Sequence, residues 1–414
     1  MIKLLQVSHS GVPVGRLAAS DRGAILFQYD PAWLRRGFDL APGSLPFDGL
    51  ANPSPRPGEF SGLHGVFNDS LPDGWGLLLM DRALKQRQGL DRWQISPLDR
   101  LAYMGRRAMG TLEYQPEILP DDVPAPFDLA GIAAEAEKVM QGESAEVLES
   151  LRVYGGSPGG ARPKVTVALS ADRRFCRSGF ADIPADYAHW IVKFRGDADP
   201  IDTGRAEKAY ADMATLSGLE MPPTALIDIE VGRKAESFFA VQRFDRRGNE
   251  KMHCLSLAGY AYADHRVPCL DYDTGVLAAT KKLTRSDVEV QKAFRLMLFN
   301  VLAHNRDDHS KNFAYLRHPE LGVWRLSPAF DLTFNHGLAN QHTTSVSGSG
   351  SPTFADLKKI ADRWRIPGWL NMLDQVRNAL AQWSALAEQY GVAKARTRAI
   401  QSALAEVDRA CAPR

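Results

Sequence analysis

Apolar and polar positions alternate in short runs near the start of the chain, "IKLLQVSHSGVPVGRLAAS" and then "AILFQYD", with glycines between them. Alternation at a period of two, broken by glycine turns, predicts a small antiparallel sheet. Residues 31–60 lose the pattern and carry prolines at 31, 42, 46, 53, 55 and 57, which predicts loop. A helix is predicted from Gly74 to about Gln88, after the turn "SLPDGWG", and "SPLDRLAYMG" predicts a second, shorter one. Residues 116–127, "PEILPDDVPAPF", hold four prolines and no period, and read as a linker.

A helical pattern over about 128–150 leads into a second β-rich block. There "GGSPGGARPKVTVALS" is a glycine-rich turn entering a strand, "HWIVKFRG" is another strand, and "GRAEKAYADMATLSG" is a helix. "TALIDIEVG" and "ESFFAVQRFDR" are two further strands. Beyond Asp245 the pattern is mostly helical. In "TRSDVEVQKAFRLMLFNVLA", Thr284 with Asp287 three on predicts a capping-box start, and Ala293, Met297 and Val301 share one helix face. "FAYL" and "VWRLSPAFDLTF" can run as short strands. In the tail, Leu370, Leu373, Val376, Leu380, Trp383 and Leu386 keep helical spacing up to a stop at Gly391. The expected architecture is α+β, with a β-rich subdomain over 1–120, a glycine-loop-led β-rich lobe over 121–245 and a helical lobe over 246–414.

Composition narrows the function classes. A length of 414 residues accommodates two or three domains, and 44% apolar with 24% charged residues fits a chain that buries a core. Lys+Arg at 50 against Asp+Glu at 49 leaves a net charge of +1, so no direct nucleic-acid contact is expected. No stretch approaches the roughly 20 apolar residues of a membrane span, and the N-terminus lacks a secretory h-region. Cys176, Cys254, Cys269 and Cys411 show neither CxxC nor zinc-finger spacing and read as reduced thiols, so the expected location is cytoplasmic.

The candidate chemistry centres on "HNRDDHSKNF", residues 304–313. Asp307 and Asn312 are five apart, the spacing at which a phosphoryl-transfer loop places a base and a Mg²⁺ ligand. A further carboxylate, Asp331 in "AFDLTF", follows 19 residues after Asn312. Phosphoryl transfer needs a cation on the phosphate oxygens, hard oxygen ligands for it and one oriented base. A competing reading groups His304, Asp307, Asp308 and His309 as a metal-hydrolase site. Upstream, the glycines of "YGGSPGGARPK" can cradle phosphate with main-chain N–H groups, with Arg162 and Lys164 as adjacent cations. Lys193 lies in an otherwise apolar strand, where an ammonium needs an anionic partner. Glu207 on the next helix is a possible one. The strand end at residues 238–246 falls where a kinase hinge would.

These motifs resemble the HipA family of bacterial toxin kinases. "NRDDHSKNFAYL" with "LSPAFDLTF" is similar to its catalytic signature, "GGARPK" with "IVKF" to its nucleotide loop and strand lysine, "VQRFDR" to its hinge, and "HGVFNDSLPDGWG" to the hallmark turn of its N-terminal subdomain. The resemblance covers roughly residues 1–365. It implies a two-lobed serine/threonine protein-kinase fold with an added N-terminal subdomain, using ATP and Mg²⁺. Asp307 is then the catalytic base, Asn312 and Asp331 are metal ligands, Lys193 contacts phosphate, and His309 and Lys311 stand near the phosphates. Gln242, Arg243 and Phe244 lie at the adenine. Ser157, Gly159, Gly160, Ala161, Arg162 and Lys164 belong to the nucleotide loop, with Ser157 in the place of the family's self-phosphorylated serine. The chain departs from better-known members at Pro158 and at Arg162-Pro163.

The resemblance also implies a small DNA-binding HipB-like antitoxin as partner and a protein substrate, such as an aminoacyl-tRNA synthetase, whose phosphorylation arrests growth. The alternatives are a regulatory pseudokinase acting through an antitoxin complex, and the metal-dependent hydrolase.

Overall fold

The alternating N-terminal runs form strands β1 (Leu4–His9), β2 (Val12–Ala19) and β3 (Ile25–Tyr29). With β4 (Asn52–Pro53) and β5 (Leu112–Gln115) they make a sheet of order β4-β3-β2-β1-β5, antiparallel at every pairing. Leu17 lies opposite Leu5 on one side and Phe27 on the other, and all three are buried, so the period-two pattern sets the inward face. Helices α1 (Gly74–Gln88) and α2 (Pro97–Met104) follow, and Met80, Ala83 and Leu84 share a core with Tyr103 and Met104. A capping box starts α2: Asp99 N–H donates to Ser96 Oγ and Ser96 N–H to the Asp99 carboxylate.

This computed structural model describes residues 2–118, 129–140, 162–173, 175–196, 198–231 and 234–413. Ser157, Gly159, Gly160 and Ala161 lie outside the described residues. By its contacts the chain divides into two units, 1–199 with 227–255, and 200–226 with 256–414.

The helical pattern near residue 130 is helix α3 (Leu129–Met140). A second sheet contains β6 (Lys164–Ser170), β7 (Cys176–Ser178), β8 (Tyr187–Lys193), β9 (Thr224–Val231) and β10 (Lys234–Gln242). Its order is β7-β6-β8-β10-β9, which makes β8 the middle strand.

The second unit is built on α4 (Thr203–Leu216), α5 (Asp287–Leu302), α6 (Phe354–Trp364), α7 (Trp369–Leu380), α8 (Trp383–Tyr390) and α9 (Lys394–Ala410). Ala293, Met297 and Val301 of α5 are buried, as their spacing predicts. The start of α5 differs from expectation. Ser286 is the cap, accepting from Glu289 N–H, while Thr284 ends the preceding helix and donates its hydroxyl to Thr280 O at 2.7 Å. Arg285 at φ 56° separates the two. The tail run from Leu370 to Leu386 is two helices, broken at Ala381 and Gln382, and Leu370 stays half exposed. Gly391 at φ 72° ends α8, as its position predicts.

Short strands accompany the helices. β12 (Ala314–Arg317) and β13 (Trp324–Leu326) form an antiparallel hairpin, and β11 (Leu270–Asp271) pairs in parallel with β14 (Thr344–Ser345). Among the described residues no helix is long and apolar enough to cross a membrane.

Candidate active site

Helix α5 delivers the chain to the polar loop through His304, which takes the left-handed conformation at φ 55°. Its ring stacks on Phe334 at 4.7 Å, and its Nδ1 donates to the Asn335 carbonyl at 3.1 Å. Burial, with Arg306 nearby, holds this imidazole below its usual pKa, which suits a neutral packing role. Asn305 and Asn335 form a parallel bridge, and Asn335 N–H donates to His304 O at 3.0 Å. The loop therefore runs beside the segment that follows Asp331. Asp331 is itself left-handed at φ 58°, a conformation that costs a non-glycine residue energy and is found most often where structure serves function.

Asp307 is exposed. The Asn312 side chain donates through Nδ2 to the Asp307 main-chain carbonyl at 2.8 Å, so the five-residue spacing closes a compact loop. That bond uses the amide nitrogen and turns the amide oxygen, the hard ligand atom, away from it. Asn335 Nδ2 lies 3.5 Å from Asp307 Oδ2. Lys311 and His309 are half-buried in the same loop, and His309 packs edge-on against His265 at 5.4 Å. His304, Asp307, Asp308 and His309 do not converge: among the described residues no three His, Cys, Asp or Glu side chains are grouped to hold a metal.

In the first unit, Lys193 closes the middle strand. It stands in register with Lys164 of β6 on one side and Phe239 of β10 on the other, its ammonium 5.5 Å from the Phe239 ring centre. Residues directly opposite in an antiparallel pair project from the same face, so two ammonium groups share one face of the sheet. That arrangement favours an anion. Arg162 grips Asp199 with two bonds, Nε to Oδ2 at 3.0 Å and Nη2 to Oδ1 at 3.1 Å. Gln242, at the end of β10, and Phe244 are half-buried. Arg243 N–H donates to His189 O at 2.8 Å, and its guanidinium is buried against Asp245 with bonds of 2.9 and 2.8 Å. Asp245 Oδ2 also accepts from Arg246 Nη1 at 2.6 Å and from Gly110 N–H at 2.7 Å. Burial alone would raise the Asp245 carboxyl, but Arg243 and Arg246 hold it below the ordinary range.

The family model for the HipA-like C-terminal domain matches residues 156–410, and that for the HipA N-terminal domain matches residues 5–115. The chain belongs to the HipA family. One relative, from Sinorhizobium fredii and named "Putative kinase Y4mE", is 25% identical over 352 residues, 80% of this chain and 77% of its own. A solved chain of the Shewanella oneidensis MR-1 complex of HipA, HipB and operator DNA matches with a TM-score of 0.63 at 18% identity, covering 99% of this chain and 92% of that one. The fold is therefore the α+β fold of HipA, as the sequence leads one to expect.

Within this HipA-family chain, the sequence offers Asp308 only as a ligand in the hydrolase reading and gives it no place in the phosphoryl-transfer loop. It sits next to the exposed Asp307, yet it is fully buried. Its carboxylate accepts from Tyr272 OH at 2.8 Å, His342 Nδ1 at 2.9 Å, Thr343 N–H at 3.0 Å and Thr344 N–H at 3.2 Å. Tyr272 OH in turn accepts from Asn300 Nδ2, and Asn300 Oδ1 from Asn305 Nδ2, each at 2.9 Å. Asp308 stands four residues before Asn312, not five, so the loop spacing does not single it out.

Proposed function

We propose that the chain is an ATP- and Mg²⁺-dependent serine/threonine protein kinase that acts as the toxin of a toxin–antitoxin pair. The observation that carries this reading is the closed Asp307–Asn312 loop in a HipA-family chain: the Asn312 amide nitrogen is bonded to the Asp307 main-chain carbonyl, and the Asp307 carboxylate is exposed. Asp307 accepts the proton of the attacking hydroxyl. Asn312 and Asp331 offer the oxygen donors that Mg²⁺ prefers, and the bound ion would offset charge on the phosphate oxygens. In the first unit, Lys193 and Lys164 give one sheet face the charge to take phosphate.

The reading extends further. A phosphate on Ser157 would add roughly −1.5 to −2 charge to the nucleotide loop and oppose ATP there, a self-inactivating step. A HipB-like DNA-binding antitoxin is the partner this reading assigns, by analogy with the Shewanella complex, and base readout then falls to the antitoxin. The substrate is a cellular protein of the aminoacyl-tRNA synthetase kind. Location in the cytoplasm and the subdomain bounds 1–120, 121–245 and 246–414 complete the proposal.

The test is label transfer from γ-labelled ATP to cellular protein, with the wild type and with Asp307→Asn. Transfer by the wild type and its loss in the variant are expected. Undiminished labelling by Asp307→Asn would remove Asp307 as the base. Phosphoproteomics after expression of the two forms then identifies the substrate.

A further inference from the structure

The buried network under the loop supports a role that neither the spacing nor the family signature assigns, and that role rests on the kinase reading above. We propose that Asp308 is the positioning residue for Asp307: its buried carboxylate fixes the loop main chain so that the neighbouring base is held in one place.

Asp308 is buried while its neighbour Asp307 is exposed, so the two side chains face opposite ways. Packing alone does not explain an acid here, because a buried carboxylate is costly unless it is fully hydrogen-bonded. Asp308 meets that condition with four donors from two remote segments, Tyr272 and residues 342–344. Its own carbonyl also accepts from the Thr344 hydroxyl. On the other side of Asp307, the Arg306 carbonyl accepts from Thr343 N–H at 3.0 Å and from Thr343 Oγ1 at 3.1 Å. Asn305 is tied to the same network through Asn300 and Tyr272. Residues 305, 306 and 308 are thus each anchored, which leaves Asp307 bracketed.

The anchoring segment is itself fixed. β14 pairs with β11, and Asp271 Oδ2 accepts from Ser345 Oγ and Gly348 N–H at 2.7 Å each. A general base works only from a defined position, and small misplacements carry large rate costs.

The experiment compares the full-length wild type, Asp307→Asn, Asp308→Asn and Tyr272→Phe in steady-state transfer from ATP, with thermal unfolding of each. Asp308→Asn should lower kcat about 10- to 100-fold while KM for ATP stays within about twofold, because the loop and not the nucleotide contact is disturbed. Tyr272→Phe, which removes one hydroxyl and keeps the ring, should lower kcat severalfold with the same split. It decides the matter if Asp308→Asn does not fold. The proposal is overturned if the variant that folds turns over at the wild-type rate per folded molecule, or if its loss falls on KM for ATP. If the wild type transfers no phosphate, the kinase reading itself fails; if Asp307→Asn transfers as well as the wild type, Asp307 is not the base and the positioning role falls with it, while the kinase reading stands. If Asp307→Asn alone is inactive, only the positioning role fails.

Discussion

Asp245 and Asp308 are both fully buried, and each sits in a short polar stretch that follows an apolar element, one in each unit. Their charges are met in different ways. Asp245 lies between two guanidiniums, with one N–H added from Gly110. Asp308 is met by a phenol, an imidazole nitrogen and two main-chain N–H groups. The first is an ionic cluster in which each member depends on the others' charge. The second is a cradle of four separate donors, none of them a guanidinium or an ammonium. An ionic cluster is intolerant of losing one member, whereas a cradle of separate donors loses stability in smaller steps.

The largest effect should therefore come from Asp245→Asn. It leaves two buried guanidiniums without their counter-charge and should cost about 3–5 kcal/mol in denaturant unfolding. Asp308→Asn should cost less, about 1–3 kcal/mol, since it turns an amide toward donors that lose part of their acceptor. Equal losses for the two would break the distinction between them. Tyr272→Phe should cost about 1 kcal/mol, the value of one net hydrogen bond.

A pH measurement sharpens the same contrast. His189 lies beside the ionic cluster, and burial, then Arg243 and Arg246, push its pKa down to about 4 against the opposing pull of Asp245. Between about pH 6.5 and 4 the unfolded chain binds a proton that the native chain does not. Stability should fall as the pH is lowered through that window, and His189→Gln should flatten this part of the curve. Smallest of all, Asp307→Asn should change stability by less than about 0.5 kcal/mol, because the side chain is exposed, even as phosphate transfer is lost.

Much of the fold was legible because it is written in short-range pattern. Alternation located β1 to β3, and the apolar run "HWIVKF" located the strand that carries Lys193 at its end. The errors arose where local signals competed. Thr284 and Ser286 both suit a helix start, and only the left-handed turn at Arg285 assigns the cap to Ser286. The tail keeps helical phase across Ala381 and Gln382, so its break leaves no mark on the apolar spacing. The site divides the same way. The spacing of Asp307 and Asn312 is a local fact, and in the structure the Asn312 amide closes the loop onto the Asp307 main-chain carbonyl. Asp308 is chemically identical to its neighbour in sequence. What separates them are partners 36 residues before and up to 36 residues after it, which only tertiary structure brings close. Likewise, the two-residue step from Arg243 to Asp245 is visible in the chain, but their joint burial is not.

The parallel pairing of β11 with β14 carries one more consequence, for the order of assembly. Thr344 stands 36 residues beyond Asp308, and Ser345 stands 74 beyond Asp271. Contacts of that range close late, after the chain entropy of long loops has been overcome. During synthesis, a chain that ends before Thr343 holds every residue of the loop yet neither of the main-chain donors that seat it. The loop can thus be translated well before it is seated, so a truncated product that stops short of this strand would lack a set active loop.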